Sequence, residues 1–361
     1  MKKIILVVGA RPNFMKAAPL YRYLKTQNLF KVILLHTGQH YDYEMSQIFF
    51  EDLDLPKPDY FLNVQSGSHA AQTAKIMVKF EKVLLKEKPE LVVVFGDVNS
   101  TVACSLVAKK IQIPVAHVEA GLRSYDDTMP EEINRRITDS ISEILLTPSK
   151  DANLNLLKEG ISMEKIYLVG NIMIDSLMTS VSKMTQGAKF FNKFKIEDKK
   201  YCLVTLHRPS NVDERNKLTE IIEKVNEISQ KISVVFPVHP RTNKNLHDWG
   251  ITVSKKLKFI PPLGYKDFTF LEKNAGLVIT DSGGIQEETT FLGVPCLTLR
   301  PNTERPITIK LGTNKLVTEQ SLLKEVDFIL NEKNKKGKIP PFWDGQTASR
   351  ITKILTQKLG N

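Results

Sequence analysis

The chain alternates between two hydrophobic patterns. Unbroken apolar runs rich in Val and Ile occur at Ile4–Val8, Val32–Leu35, Leu91–Phe95, Val115–Val118, Ile144–Leu146 and Ile166–Val169. A strand covered on both faces has no polar face to alternate with, so such runs predict strands of a parallel sheet. Between them, apolar residues recur at helical spacing over Asn13–Lys25, Ala70–Lys86 and Ser100–Lys110. Repeated strand-then-helix order predicts a doubly wound α/β domain.

The pattern weakens between Ser176 and Lys200, where charged stretches intervene at 189–193 and 197–200. It restarts with apolar runs at Cys202–Leu206, Ser233–Phe236, Leu257–Ile260, Leu277–Ile279 and Pro295–Leu299. The expected fold class is therefore α/β: two Rossmann-like domains on parallel sheets, over residues 1–175 and 176–344, with the active site in the interdomain cleft. After the Pro340-Pro341 break, an amphipathic pattern over Thr347–Leu359 predicts a closing helix within 345–361.

Composition narrows the classes. At 42% hydrophobic and 25% charged residues the chain is globular rather than disordered or fibrous. The formal charge of +11 comes from lysines that are scattered or gathered in loop-like runs such as 333–338. No face combines a basic helix with aromatics, so an anionic metabolite is expected and nucleic acid is not. The three cysteines are isolated in apolar segments. That excludes a disulfide framework and a paired-cysteine metal site, and predicts a reducing, cytoplasmic setting. The opening MKKIILVV imitates a signal peptide, but it halts at Arg11-Pro12 and reads as a first buried strand. No apolar run approaches the ~20 residues of a bilayer span, so no membrane insertion is expected.

In open α/β sheets, ligands sit beyond the carboxyl ends of the strands. The first strand is followed by GARPNFMK, which lacks the GxGxxG of a dinucleotide site. It offers a flexible Gly9 at a turn, with Arg11 and Lys16 near a helix start, either as phosphate-binding cations or as solvated helix charges. GDVNST follows a later strand; its Asp97 is either a helix cap or an acid–base group. HVEAGLR brings Glu119 to a buried strand end, where an acid is costly unless paired. PEEINRR opens a helix with two glutamates, one of which serves at least as a first-turn charge.

In the second half, LHRPSN carries His207, either a packed core histidine or a site residue. TDSGGIQEE runs from a strand through a Ser-Gly-Gly turn into a helix, where backbone N–H groups converge on a diphosphate. Glu288, further into that helix, suits ribose hydroxyls. Arg300, Glu304 and Arg305 add charge after the next strand.

These segments, with ERP at Glu304–Pro306, run in the order of a known family and extend over most of the chain. The chain resembles the non-hydrolysing UDP-N-acetylglucosamine 2-epimerases. The resemblance implies the GT-B fold, with the UDP-sugar between two domains and the C-terminal helix packing back on the first. By position it implies that Asp97, Glu119, Glu131 and His207 are catalytic. It also implies that Arg11, Lys16, Arg208, Phe268, Ser282, Gly283, Gly284, Glu288 and Arg305 bind substrate, Phe268 presenting its backbone to the uracil. The partner implied is a UDP-N-acetylhexosamine, the assembly a homodimer, and neither cofactor nor metal is called for.

The chemistry makes that set intelligible. The C2 hydrogen of an N-acetyl sugar is not adjacent to a carbonyl carbon, so simple deprotonation leaves an unstabilised carbanion. Without a nicotinamide, elimination is the economical route: UDP leaves C1 as the C2 proton departs, and re-adds to the 2-acetamidoglucal after protonation on the other face. This needs a carboxylate base, an acid opposite it, and firm retention of UDP. Which carboxylate is base and which is acid is open at this point. Three alternatives share the motifs: a 2-epimerase of a related UDP-linked amino sugar, a hydrolysing relative, and a GT-B glycosyltransferase.

Overall fold

The computed structural model describes residues 1–39, 53–183, 191–192, 195–331 and 336–360. Parts of the charged stretches at 189–193 and 333–338, and residue 361, lie outside the described residues. The chain divides into two compact units, Met1–Ser176 with Pro341–Asn361, and Leu177–Pro340. The division falls within one helix, Ile172–Ser182.

The first unit is built on a parallel sheet of seven strands: β1 (Lys2–Val8), β2 (Phe30–His36), β3 (Tyr60–Phe61), β4 (Leu91–Phe95), β5 (Val115–Val118), β6 (Ile144–Thr147) and β7 (Ile166–Leu168). Their spatial order is β3-β2-β1-β4-β5-β6-β7. The central strands are buried along nearly their whole length, as their unbroken apolar runs predict. β7 is an edge strand and only half-buried, so its run is less enclosed than the pattern suggests. The two-residue β3 has too few positions to register as a run.

The second unit holds β8 (Tyr201–Thr205), β9 (Ser233–Pro237), β10 (Leu257–Ile260), β11 (Leu277–Thr280), β12 (Cys296–Leu299) and β13 (Asn314–Val317), in the order β10-β9-β8-β11-β12-β13. Again every pairing is parallel. The sequence pattern misses β13 because Asn314 and Lys315 interrupt it; Asn314 is nonetheless buried, bonded to Thr298 and Gln286.

In both sheets the chain builds outward from its first strand in one direction, then crosses to build the other. That reversal leaves a crevice at the carboxyl ends of β1 and β4, and of β8 and β11. The helix Thr347–Leu359 belongs to the first unit. Its amino end is tied to buried Asp175, which accepts from the amides of Thr347 (3.3 Å) and Ala348 (2.9 Å). Trp343 donates to the Pro148 carbonyl at 3.0 Å. Among the described residues no helix is long and apolar enough to cross a membrane.

Candidate active site

At the first crevice, the turn after β1 is set by Asn13. Its amide oxygen accepts from the Gly9 and Ala10 amides, both at 3.1 Å, and its Nδ2 donates to the Phe95 carbonyl at 2.8 Å. One side chain thus joins the ends of β1 and β4. Gly9 serves close approach rather than flexibility: a Cβ there would lie 2.2 Å from Ser100 Oγ and 2.7 Å from Thr37 Oγ1. From the helix that follows, Lys16 forms a buried ion pair with Glu119. Gly96, at φ +62°, makes room for it; a Cβ on Gly96 would stand 2.8 Å from Lys16 Nζ and 3.4 Å from Glu119 Oε2. Glu119 itself has φ +74°, a left-handed conformation costly for a non-glycine residue and characteristic of functional sites.

Asp97 does not cap a helix. The cap of Asn99–Lys110 is Val98, with no side-chain bond. Asp97 Oδ2 instead accepts from Arg135 Nη2 (2.6 Å) and Nε (3.0 Å), an arrangement that favours the ionised carboxylate. The two glutamates of PEEINRR divide their work. Glu132 is buried and accepts from the amides of Ser124 and Tyr125, each at 3.0 Å, and from Arg135 at 2.5 Å. Glu131 is exposed and lines a cavity of about 270 Å³ together with Asp97, Asn99, Asn134, His69 and Gln72. Arg11 is half-buried at the first position of its helix.

Beneath this floor lies a wholly buried ionic cluster. His117 Nδ1 sits 2.7 Å from Asp139 Oδ1, and its Nε2 sits 2.7 Å from the Gly96 carbonyl. Asp139 Oδ2 also meets Arg123 Nη1 at 2.7 Å and the Gly121 amide at 3.0 Å. Burial alone would raise the Asp139 carboxyl, but His117 and Arg123 together hold it below the usual aspartate range. The cluster anchors the turn that presents Asp97.

The crevice of the second unit is organised by Asp281, fully buried after β11. It accepts from the amides of His207 and Arg208 at 3.0 Å and from Asn211 Nδ2 at 3.2 Å, and its Oδ1 lies 3.0 Å from His207 Nδ1. Burial would raise Asp281; the His207 ring and these donors hold it low. His207 is no packed core residue, since its side chain is 45% exposed. Asp281 carries the same signal in the sequence as Glu119, an acid at a buried strand end, and its partners are visible only in the structure.

Ser282 precedes the helix Gly283–Leu292 and makes no side-chain cap bond. Its two glycines have different reasons. A Cβ on Gly283 would meet Arg305 Nη1 at 2.5 Å and Glu304 Oε1 at 2.8 Å, whereas one on Gly284 meets nothing within 4 Å among the described residues. Arg305 is itself buried, paired with Glu304 and, at 2.9 Å, with Glu287. Glu288 is buried and accepts from the Tyr265 hydroxyl at 2.8 Å. Phe268 lies within the helix Tyr265–Lys273, its amide donating to the Gly264 carbonyl at 3.0 Å and its ring packed against the core around Ile285.

The first unit thus gathers Lys16, Asp97, Glu119 and Glu131 around one crevice, and the second gathers His207, Arg208 and Ser282 around another. The first crevice is lined by carboxylates and a buried lysine, the second by an imidazole and a helix start. Comparison with known proteins identifies the family. The family model for UDP-N-acetylglucosamine 2-epimerase matches residues 22–356. A UDP-N-acetylglucosamine 2-epimerase of Methanocaldococcus jannaschii is 47% identical, over 98% of this chain and 99% of its own length. A UDP-2,3-diacetamido-2,3-dideoxy-D-glucuronate 2-epimerase of Pseudomonas aeruginosa is 40% identical over 98% and 99%. The crystal structure of the M. jannaschii UDP-GlcNAc 2-epimerase in complex with UDP-GlcNAc and UDP superposes with a TM-score of 0.90 at 46% identity, covering 99% of this chain and 100% of that one.

Proposed function

The chain belongs to the UDP-N-acetylglucosamine 2-epimerase family, and from that premise we propose that it interconverts UDP-N-acetylglucosamine and UDP-N-acetylmannosamine by inverting C2. The observation that carries the reading is the cavity in which Asp97, paired with Arg135, and Glu131 share one lining.

In this reading Asp97 takes the C2 proton while the C1–O bond breaks and its electron pair leaves with UDP. The product is a 2-acetamidoglucal. Glu131, protonated at the start, gives a proton to C2 from the other face and the UDP oxygen re-adds at C1. Asp97 then releases its proton to water and Glu131 takes one from water, so the substrate keeps its composition and the enzyme is restored. Lys16 and Glu119 form a buried ion pair next to Gly96, which precedes Asp97. In this reading Lys16 shares the charge of the leaving phosphate, at the cost of loosening Glu119. His207, oriented by Asp281, assists the departing phosphate oxygen. The open start of the Gly283 helix and Arg208 retain the diphosphate. A homodimer in the cytoplasm completes the reading, and light scattering on the eluted protein tests the assembly.

Incubation with UDP-N-acetylglucosamine in D2O, followed by proton NMR, tests the function. Deuterium at C2 with a new UDP-N-acetylmannosamine anomeric signal is expected. Free N-acetylmannosamine, or UDP release only with an added acceptor, would refute it. The Pseudomonas relative favours a second reading, a diacetamido-uronate substrate, and the same experiment with that UDP-sugar compares the two rates.

A further inference from the structure

Two arginines and two glutamates are buried at the start of the helix Gly283–Leu292: Arg300, Arg305, Glu287 and Glu304. Arg300 follows β12 directly, and the parallel pairing of β11 with β12 brings it to the sheet end from which that helix departs. Glu304 stands between the two guanidinium groups. Its Oε2 accepts from Arg300 Nη2 at 2.7 Å, and its Oε1 accepts from Arg305 Nη1. Glu287 Oε1 lies 2.9 Å from Arg305 Nε. Arg305 thus meets two carboxylates, and Arg300 shares one of them.

The Arg300 side chain is only 2% exposed, yet its Nε and Nη1 find no hydrogen-bond partner among the described residues. Buried donors left unpaired are costly and call for an explanation. A guanidinium presents its donors as a planar fork that suits both oxygens of one carboxylate. Glu304 uses one oxygen on Arg300 and gives the other to Arg305, so Arg300 keeps unused capacity for the same carboxylate. The charge count points the same way. Arg305 with its two carboxylates alone would carry one net negative charge at the helix start, where an anion would be repelled. Arg300 brings the four groups to neutrality.

We propose that Arg300 is a positioning residue for the diphosphate: as the nucleotide takes up Arg305, Glu304 leaves Arg305 Nη1 and closes with both oxygens on Arg300. The inference rests on the reading of Arg305 as a UDP-binding residue. Its place at the helix start supports that reading, since a Cβ on Gly283 would lie 2.5 Å from Arg305 Nη1 and 2.8 Å from Glu304 Oε1. What is added is that diphosphate affinity depends on a second cation that need not touch the nucleotide.

The test is the binding of UDP, by calorimetry, and of uridine, by NMR titration, to the full chain. Arg300→Gln is expected to weaken UDP by about tenfold or more, the worth of one hydrogen bond to a charged group, and to leave uridine unchanged. Arg300→Lys keeps the charge and is expected to stay within about threefold of wild type. Arg300→Gln/Glu304→Gln removes the carboxylate that competes for Arg305, and is expected to return UDP to within about threefold of wild type. Equal weakening of UDP and uridine in Arg300→Gln would mark a merely structural cluster and overturn the proposal. So would unchanged UDP affinity in that variant, or a double variant no better than the single one. Arg305→Gln separates the two readings. If it leaves UDP binding intact, the assignment of Arg305 falls and the role of Arg300 with it; a loss there without one in Arg300→Gln overturns the role of Arg300 alone. Should Arg300→Gln fail to fold, a crystal structure of the wild type with UDP decides. Glu304 paired through both oxygens with Arg300 supports the exchange, and Glu304 still bonded to Arg305 Nη1 overturns it.

Discussion

Asp139→Asn is the perturbation whose size follows most directly from the geometry. The substitution keeps the shape of the side chain and removes the charge that His117 and Arg123 share, at a position with no solvent contact. Breaking a buried ion pair from one side costs about 3–5 kcal/mol, because the remaining charge is stranded. Arg123 retains a bidentate partner in Glu159, at 2.8 and 2.7 Å, which puts the loss at the lower end, about 3 kcal/mol. At roughly 2–4 °C per kcal/mol for a unit of this size, the melting temperature should fall by about 6–12 °C. The pH dependence supplies a second, independent reading. Asp139 is held below its unfolded value, so its stabilisation is complete above about pH 4 and drains away as the pH falls through the depressed native value. The gap between wild type and variant should therefore be constant near neutrality and close under acid. Melting curves by circular dichroism at neutral and acid pH measure both. A fall of less than about 2 °C at neutral pH, or a gap that widens in acid, would show that the cluster is not holding the Gly96 turn as argued.

Other expectations bear on the site itself. Asp97→Asn should bind UDP as wild type does yet lose at least about 100-fold in turnover, the usual worth of a general base; exchange of the C2 proton in D2O at the wild-type rate would remove Asp97 from the mechanism. Lys16→Met should destabilise the fold by several kcal/mol, by leaving Glu119 buried without its cation. The double variant Lys16→Met/Glu119→Gln should recover most of that loss in a urea titration but none of the activity, and failure to recover stability would contradict the pairing. Gly284→Ala should leave the melting temperature unchanged, since its Cβ meets nothing within 4 Å among the described residues, and should still weaken UDP binding. Gly283→Ala should lower both, because its Cβ would meet Arg305 at 2.5 Å. Equal stability of the two glycine variants would argue against this division.

The apolar runs carried the architecture. A fully covered parallel strand must be apolar on both faces, so β1, β4, β8 and β11 announce themselves without any knowledge of their neighbours. Once their order is known, the residues following them are the candidate site, and the motifs at Gly9, Gly96, His117, Leu206 and Thr280 fall there for that reason. The strands it missed are those whose stability comes from partners: β3 is two residues long, and β13 opens on a buried asparagine bonded across the sheet.

What periodicity could not supply is pairing between distant positions. Glu131 and Glu132 are adjacent and chemically alike, yet a helical rotation sends one to the cavity and buries the other on Arg135. Asp97 reads equally well as a cap until Arg135, 38 residues on, takes its carboxylate. His207 becomes an oriented imidazole rather than a core residue only because Asp281 lies beneath it, 74 residues away. Glu288 is visible in its motif, while Tyr265, whose hydroxyl donates to it, sits in a segment with no motif at all. Local pattern reports which groups must leave water. The partners that make burial of an acid, a cation or an imidazole tolerable are chosen by the packing of one helix or strand end against another.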